Sequence, residues 1–251
     1  YTAQDETVYN ISEVPTTNPG LLDTCLLVLH DWSHYLLLVD EEIDGERGVI
    51  SEEWRTRRNA GFRVRNQIMP VLLKDSKYAQ RDVIGDLNII KNFKYQTLRD
   101  YYHKWYRPDL QAIAVVGDFD VDQMEKKVKE LFSKIPTPVN PAKRENFTVN
   151  PHDEIYFVCA TDKELTQSSV SVYIKYPAPT KEEKNHQYMK NGILQSFYNT
   201  MLGQRVSELL QKGNPPFISA QAGFGGNIVR GWNTYIISTT AKPNEEQGAL
   251  E

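Results

Sequence analysis

The sequence ERGVISEE at residues 46–53 carries an acidic residue at each end. Glu46 and Glu53 are seven residues apart, so in a helix they point within about 20° of each other and share one face. Val49 and Ile50 project from that same face and flank the two carboxylates. Carboxylates on an apolar face are costly unless a basic side chain or a metal ion meets them. This stretch is therefore the first candidate for a functional site.

Two partners for Glu53 are open from the spacing alone. Arg57 follows Glu53 by four residues, which is the favourable orientation for an ion pair along a helix. Alternatively, Glu53 is a metal ligand and Glu46 is an auxiliary acid beside it. Both interpretations need the same spacing, so residues elsewhere in the chain must decide between them.

The apolar patterns on either side of this stretch predict an α+β fold. Helical and strand patterns occur in mixed blocks, which favours an α/β sandwich over a doubly wound sheet. The predicted helices cover residues 20–37, 40–70, 95–106, 121–134 and 181–211. The predicted strands cover residues 111–119, 154–160, 170–176, 216–226 and 234–242, after an opening hairpin; the proline-rich residues 133–153 are the predicted linker.

The stretch HDWSH at residues 30–34 is similar in spacing to a metal-binding motif. His30 and His34 have the spacing of the zinc-protease helix motif H-E-x-x-H. Asp31 stands where that motif has Glu, and its side chain is too short to reach past a metal to a bound water. Both histidines point away from the apolar stripe of their helix, so we expect them on a solvated face or in a polar seam.

Composition and short motifs exclude several classes of function. A net charge of −4, without a basic stripe among aromatics, predicts no nucleic-acid partner. The apolar runs are too short for a membrane span. Cys25 and Cys159 have neither metal-binding nor redox spacing. The glycines of QAGFGG, residues 221–226, lack the phosphate-loop pattern and predict a turn or a bulge.

Three segments together resemble the pitrilysin/insulinase family of zinc peptidases, the M16 inverzincins, whose catalytic motif is H-x-x-E-H. ERGVISEE is similar to the family's downstream E-R-x-V-x-x-E-E helix, and WYRPD (105–109) and AVVGDF (114–119) follow in the family's order. The resemblance implies two-layer α/β sandwich domains. It also implies Glu53 as the third ligand of Zn²⁺ and Glu46 as the auxiliary catalytic acid.

The opening YTAQDETVY is similar to the end of the family's edge strand, which pairs with extended substrate. The resemblance implies a peptide substrate bound at Tyr1, Thr2 and Ala3. An ordinary exposed sheet edge is the alternative interpretation of these residues.

The five histidines form no H-x-x-E-H motif. The resemblance therefore implies that both histidine ligands and the general base lie upstream, and we expect an excised piece that is inactive by itself. Two partial homologous domains are implied: residues 1–148 as the later part of a catalytic-type domain, and residues 149–251 as the earlier part of a non-catalytic one.

The implied parent protein is a zinc metalloendopeptidase that cleaves unfolded peptides. A subunit that keeps the fold without the zinc motif, as a scaffold or a peptide-binding partner, is the alternative. The resemblance further implies a dimer or pairing with a homologous half, and a location in the bacterial periplasm or cytoplasm.

Overall fold

Helices fill the first half of the chain and the three strands lie in the second half. The computed structural model describes residues 1–251, with the side chain of Leu250 left out. The helices are α1 (Pro19–His34), α2 (Asp40–Arg57), α3 (Ala60–Leu72), α4 (Leu87–Asn92), α5 (Tyr95–Trp105), α6 (Val121–Phe132), α7 (His186–Gln211) and α8 (Glu246–Leu250). The strands are β1 (Ser169–Pro177), β2 (Phe217–Val229) and β3 (Trp232–Ala241), and short 3₁₀ turns cover Lys77–Ala79 and Pro108–Leu110.

The chain divides into two compact units. The first unit contains residues 1–57 and 82–146, and the second contains residues 58–81 and 147–251. The helices α1, α2, α4, α5 and α6 belong to the first unit, whereas α3, α7, α8 and the sheet belong to the second. The assignment of residues 1–148 and 149–251 to two homologous domains stays a prediction.

Polar residues at the helix starts explain where the helices begin. Asn18, Asp86 and Asp120 each accept a hydrogen bond from a backbone N–H in the first turn of the helix that follows. Asn59 does the same for Phe62, and it divides the predicted helix over 40–70 into α2 and α3. The prediction of one continuous helix was therefore wrong, because a competing N-cap lies inside the apolar pattern.

The second unit is built on an antiparallel sheet in the order β1-β3-β2. Helix α7 packs against β2. The carboxamide of Asn199 on α7 donates to the carbonyl of Phe224 and accepts from its N–H, at 2.9 Å each. The register of β2 shifts between Phe224 and Asn227, so the predicted bulge at the QAGFGG glycines is confirmed.

The core of the second unit lies where α3 and its following turn meet the β2–β3 hairpin. Leu73, Tyr78, Val149 and Val229 are buried together there. Lys175 on β1 donates to the carbonyl of Leu72 at 2.7 Å, which satisfies one of the free carbonyls at the end of α3.

Two predicted strands are not strands in the structure. Residues 111–116 and 154–160 have no strand geometry, and Val116, Ile155 and Phe157 are 96%, 98% and 87% exposed. An apolar run becomes a strand only where a neighbouring strand satisfies its N–H and C=O groups. Within the part of the chain that the structure describes, these segments pair with no other strand.

Among the described residues, no helix has both the length and the apolar character that a membrane span needs.

Candidate metal-ligand helix and substrate edge

Helix α2 carries the two candidate acids, and its charges agree with the helix dipole. Its first turn contains Asp40, Glu41 and Glu42, and its last turn contains Arg55 and Arg57. Ile43 is the only buried residue of the helix, at 5% exposure. Charge complementarity with the helix dipole therefore contributes to the stability of the helix.

Glu46 and Glu53 lie on one face of α2, as the spacing predicts. That face is only partly covered, because Glu46 is exposed and Val49 is 59% exposed, whereas Ile50 and Glu53 are half-buried. The expectation that both acids lie against a buried apolar surface was therefore wrong in this chain. Periodicity identifies residues that share a face, but the neighbours that cover the face decide whether it is buried.

The ion pair between Glu53 and Arg57 is present. A guanidinium nitrogen lies 2.5 Å from the carboxylate, with the two side chains 40% and 59% exposed. Exposed pairs of this kind contribute at most about 1 kcal/mol. The Glu53 carboxylate thus has a partner in this structure. The ion pair is weak enough for a metal ion to displace Arg57 from it.

Zinc in a peptidase takes three protein ligands and one water molecule. Among the described side chains, no cluster of three or more His, Cys, Asp or Glu residues is placed to hold a metal ion. Glu53 fits such a site as a single oxygen donor. Its assignment as a ligand, and that of Glu46 as an auxiliary acid, stay predictions.

Arg47 anchors α2 and projects about 100–120° around the helix from the two acids. Its guanidinium is 15% exposed and donates to the carbonyls of Ile90 and Phe93 at 2.5 and 2.7 Å, and to Asp44 at 2.9 Å. The same group stacks on the Phe93 ring, 3.8 Å from its centroid. These carbonyls lie at the end of α4 and just beyond it, so Arg47 fixes α2 to that segment.

A second contact near Arg47 joins α2 to α5. The Tyr95 hydroxyl donates to the Asp44 carboxylate at 2.6 Å. This hydrogen bond, followed by that from Arg47, lowers the pKa of Asp44, and it is the main cause of a raised pKa for Tyr95. Asp44 therefore stays ionised and available to both partners.

The HDWSH histidines are less exposed than the sequence predicts. The His30 side chain is 12% exposed, and its ring stacks on Tyr35 with centroids 4.7 Å apart and meets the edge of Phe132 at 5.6 Å. The prediction that His30 lies on a solvated face was therefore wrong, because α6 and Tyr35 cover the end of α1. His34 contacts the carbonyl of Tyr106 at 3.2 Å, which agrees with a polar seam.

The first residues form the predicted hairpin. Tyr1 and Val8 exchange two backbone hydrogen bonds of 2.9 Å, and Ala3 donates to Glu6 at 2.8 Å. Thr2 lies opposite Thr7 between those bonds, so its N–H and C=O point away from the hairpin partner. Tyr1, Thr2 and Ala3 are all exposed.

The WYRPD segment has a structural role that the sequence did not reveal. Arg107 is 4% exposed and donates to the carbonyls of Ala142 and Lys104, at 2.6 and 3.3 Å. Its guanidinium also lies 5.7 Å from the centroid of the Trp105 ring. The arginine therefore ties the end of α5 to the proline-rich segment of the first unit.

A sequence profile described as the Peptidase M16 inactive domain matches residues 92–250. The chain belongs to the M16 peptidase family. The family carries the α+β sandwich domains that the sequence predicts, and the crystal structure of the first half of the periplasmic protease PqqL from Escherichia coli has the same fold. Its TM-score is 0.81 at 25% identity, over 94% of this chain and 50% of that one.

Relatives in the family are named as zinc proteases. The probable zinc protease PqqL of Escherichia coli (strain K12) is 28% identical over 249 residues, which is 99% of this chain and 26% of that protein. The zinc protease PQQL-like protein of Arabidopsis thaliana is 30% identical over 219 residues, or 87% of this chain and 23% of that protein. The chain thus spans about a quarter of the length of these curated relatives.

Proposed function

We propose that this chain is part of a zinc-dependent metalloendopeptidase and that it supplies one metal ligand, Glu53. The supporting observation is that Glu46, which is exposed, and Glu53, which is half-buried, share one face of α2 within a chain of the M16 family. The names of the bacterial and plant relatives, both zinc proteases, support the metal and the reaction.

Glu53 is the donor in this proposal. Its carboxylate would leave Arg57 and bind the metal together with two histidines from another segment of the longer protein. Zinc held by these residues would supply a water of lowered pKa and a polarised scissile carbonyl. The motif glutamate of that other segment would take the proton from the water.

Glu46 has a supporting role. Seven residues of helix separate it from Glu53 by about 10 Å along the axis, so one ion cannot easily bind both carboxylates. Glu46 instead acts from beside the ligand set, where its negative charge can orient a ligand or hold a ligand N–H.

The substrate is an extended peptide in this proposal, and it binds at Tyr1, Thr2 and Ala3. The outward N–H and C=O of Thr2 are the groups that a third strand needs for β-augmentation. Side chains of the substrate would then alternate across this edge, and main-chain hydrogen bonds would give affinity without strict sequence preference.

The arrangement of the longer protein follows from the same proposal. Residues 1–148 form the later part of the catalytic-type domain, and residues 149–251 form the earlier part of its non-catalytic partner. The chain by itself does not hydrolyse peptides, since it supplies one metal ligand; the description of the matched profile as an inactive domain supports this. The periplasmic relative favours the periplasm over the cytoplasm, and pairing with a homologous half is part of the proposal.

Zinc content of the longer protein tests the proposal. Wild type, Glu53→Gln and Glu52→Gln are compared by elemental mass spectrometry after dialysis against trace zinc. Glu52 is the matched control, because it precedes Glu53 on the same helix and pairs with Arg55. We expect one zinc per chain in wild type and Glu52→Gln, and almost none in Glu53→Gln.

Two results would contradict the proposal. Full zinc in Glu53→Gln would remove Glu53 from the ligand set. No zinc in the wild-type protein would instead favour the scaffold or peptide-binding subunit.

A further inference from the structure

Helix α2 has one buried apolar side chain and two half-buried ones, Ile50 and Trp54. Ile43 is its only buried residue, and Val49, near the middle of the helix, is 59% exposed. Gly45 and Gly48 lie on either side of Glu46 and Arg47. Glycine within a helix weakens it, since its backbone loses more freedom on folding than that of other residues.

Arg47 adds hydrogen bonds of fixed direction to the few apolar contacts of α2. Two nitrogens of its guanidinium donate to two different carbonyls, those of Ile90 and Phe93, and the third nitrogen donates to Asp44. Asp44 lies on α2 itself and holds the guanidinium in place, so the two carbonyl bonds are the ones that fix the helix, because rotation of α2 would break both at once.

Small rotations of α2 also move the two acids, which project about 100–120° around the helix from Arg47. A glutamate carboxylate lies about 5–6 Å from the helix axis, so a rotation of about 10° moves it by about 1 Å. A bound metal tolerates ligand displacements of only about 0.5 Å. The restraint on rotation therefore acts directly on the geometry of Glu53.

We propose that Arg47 is a positioning residue that sets the rotation and the axial position of α2, and thereby the placement of Glu46 and Glu53. The inference rests on the proposed function of Glu53 as a zinc ligand. Arg47 itself does not touch the metal or the substrate.

The zinc dissociation constant of the longer protein is the first measurement, by competition with a chromophoric chelator. Groups that orient metal ligands typically contribute 10- to 100-fold to metal affinity. We expect Arg47→Ala to raise the dissociation constant by about that factor. We expect Arg47→Lys to raise it nearly as much, because one ammonium group cannot span the two carbonyls.

Two control variants separate positioning from general stability and from charge. Leu26→Ala removes a buried side chain of α1 in the same unit, so it lowers the melting temperature while every residue of α2 is kept. Arg55→Ala removes a positive charge from the exposed side of α2. Neither should change zinc affinity more than about twofold.

Hydrogen exchange of the metal-free protein is the second measurement, and it does not depend on zinc. Amides of α2 should exchange at least tenfold faster in both Arg47 variants, whereas those of α6 should not change. Wild-type zinc affinity in Arg47→Ala, or an equal loss of affinity in Leu26→Ala, would overturn the inference. Wild-type zinc affinity in Glu53→Gln would instead overturn the proposed function, and the exchange result would still stand by itself.

Discussion

Helices α2 and α7 are both long, at 18 and 26 residues, and each is held by a polar side chain that bonds main-chain groups. On α2, Arg47 reaches the carbonyls of Ile90 and Phe93. On α7, Asn199 satisfies the N–H and C=O of Phe224 where β2 is irregular. In both cases the polar side chain meets backbone groups that regular secondary structure leaves free.

The two helices differ in what accompanies the polar contact. Next to Asn199, Tyr198 of α7 contacts Phe224 edge-on with centroids 5.5 Å apart, and its hydroxyl lies 2.9 Å from that of Tyr235 on β3. On α2, the Phe93 ring stacks on Arg47 itself, so the aromatic contact depends on the same residue. On α2, both carbonyl bonds and the ring contact thus come from one residue, and the Tyr95–Asp44 hydrogen bond and the Arg99–Asp40 ion pair add to them. On α7, the polar and the aromatic contacts come from different residues.

The largest effect is expected from Arg47→Ala. Hydrogen bonds to charged groups contribute about 1.5–3 kcal/mol each, so the loss of both carbonyl bonds should destabilise α2 by about 3 kcal/mol. Local opening would become about 100-fold more frequent, and hydrogen exchange of α2 amides measures it. Exchange in α2 at the wild-type rate would show that other contacts hold this helix.

Asn199→Ala should have a smaller effect on α7. The substitution leaves the N–H and C=O of Phe224 without their partner, at a cost of about 2 kcal/mol, but the aromatic contacts of Tyr198 remain. Exchange of α7 amides should rise about 30-fold, with the helix still in place. The comparison would be reversed if Asn199→Ala accelerated the exchange of α7 amides more than Arg47→Ala accelerates the exchange of α2 amides.

Tyr198→Phe should lower the free energy of unfolding by about 0.5–1 kcal/mol. Only the hydroxyl contact with Tyr235 is lost, and the ring contact with Phe224 is kept. Chemical denaturation followed by near-ultraviolet circular dichroism would detect this change. Tyr235→Phe is the matched control, since it removes the same hydrogen bond from the opposite side.

The smallest effect on stability is expected from the contact between Arg63 and Asp162, which depends on pH. Arg63 on α3 donates to Asp162 and lowers the pKa of that carboxyl group to about 2. A folded-state pKa below the unfolded value means that the contact stabilises the second unit above about pH 4 and is lost as the pH falls through about 2. Asp162→Asn should remove this acid dependence, while the contacts of Arg47 and Asn199 with main-chain groups should not titrate there.

The sequence predicts part of this fold, because periodicity reports which residues a helix or strand turns inward, but the strands predicted over 111–119 and 154–160 are absent. Helices α5 and α6 and all three strands lie where their patterns place them. The helix predicted over residues 20–37 ends at His34, and that over 181–211 begins at His186 after Asn185, its N-cap. Caps are single residues, so their signal is weak beside an apolar run.

Contacts between distant segments are where the sequence fails. The burial of His30 depends on Phe132, which is more than a hundred residues away in α6. The partners of Arg47 are main-chain carbonyls, which nearly every residue has, so no side-chain pattern identifies Ile90 and Phe93. The spacing of Glu46 and Glu53 was predictable, but the restraint that positions them was not.

A crystal structure of the longer protein with zinc, located by anomalous scattering at the zinc edge, would test most directly whether Glu53 is a zinc ligand. We expect a Glu53 carboxylate oxygen about 2.0–2.2 Å from the metal, with Arg57 displaced and Arg47 still bound to its two carbonyls. A metal held without Glu53, with the carboxylate still paired to Arg57, would contradict it.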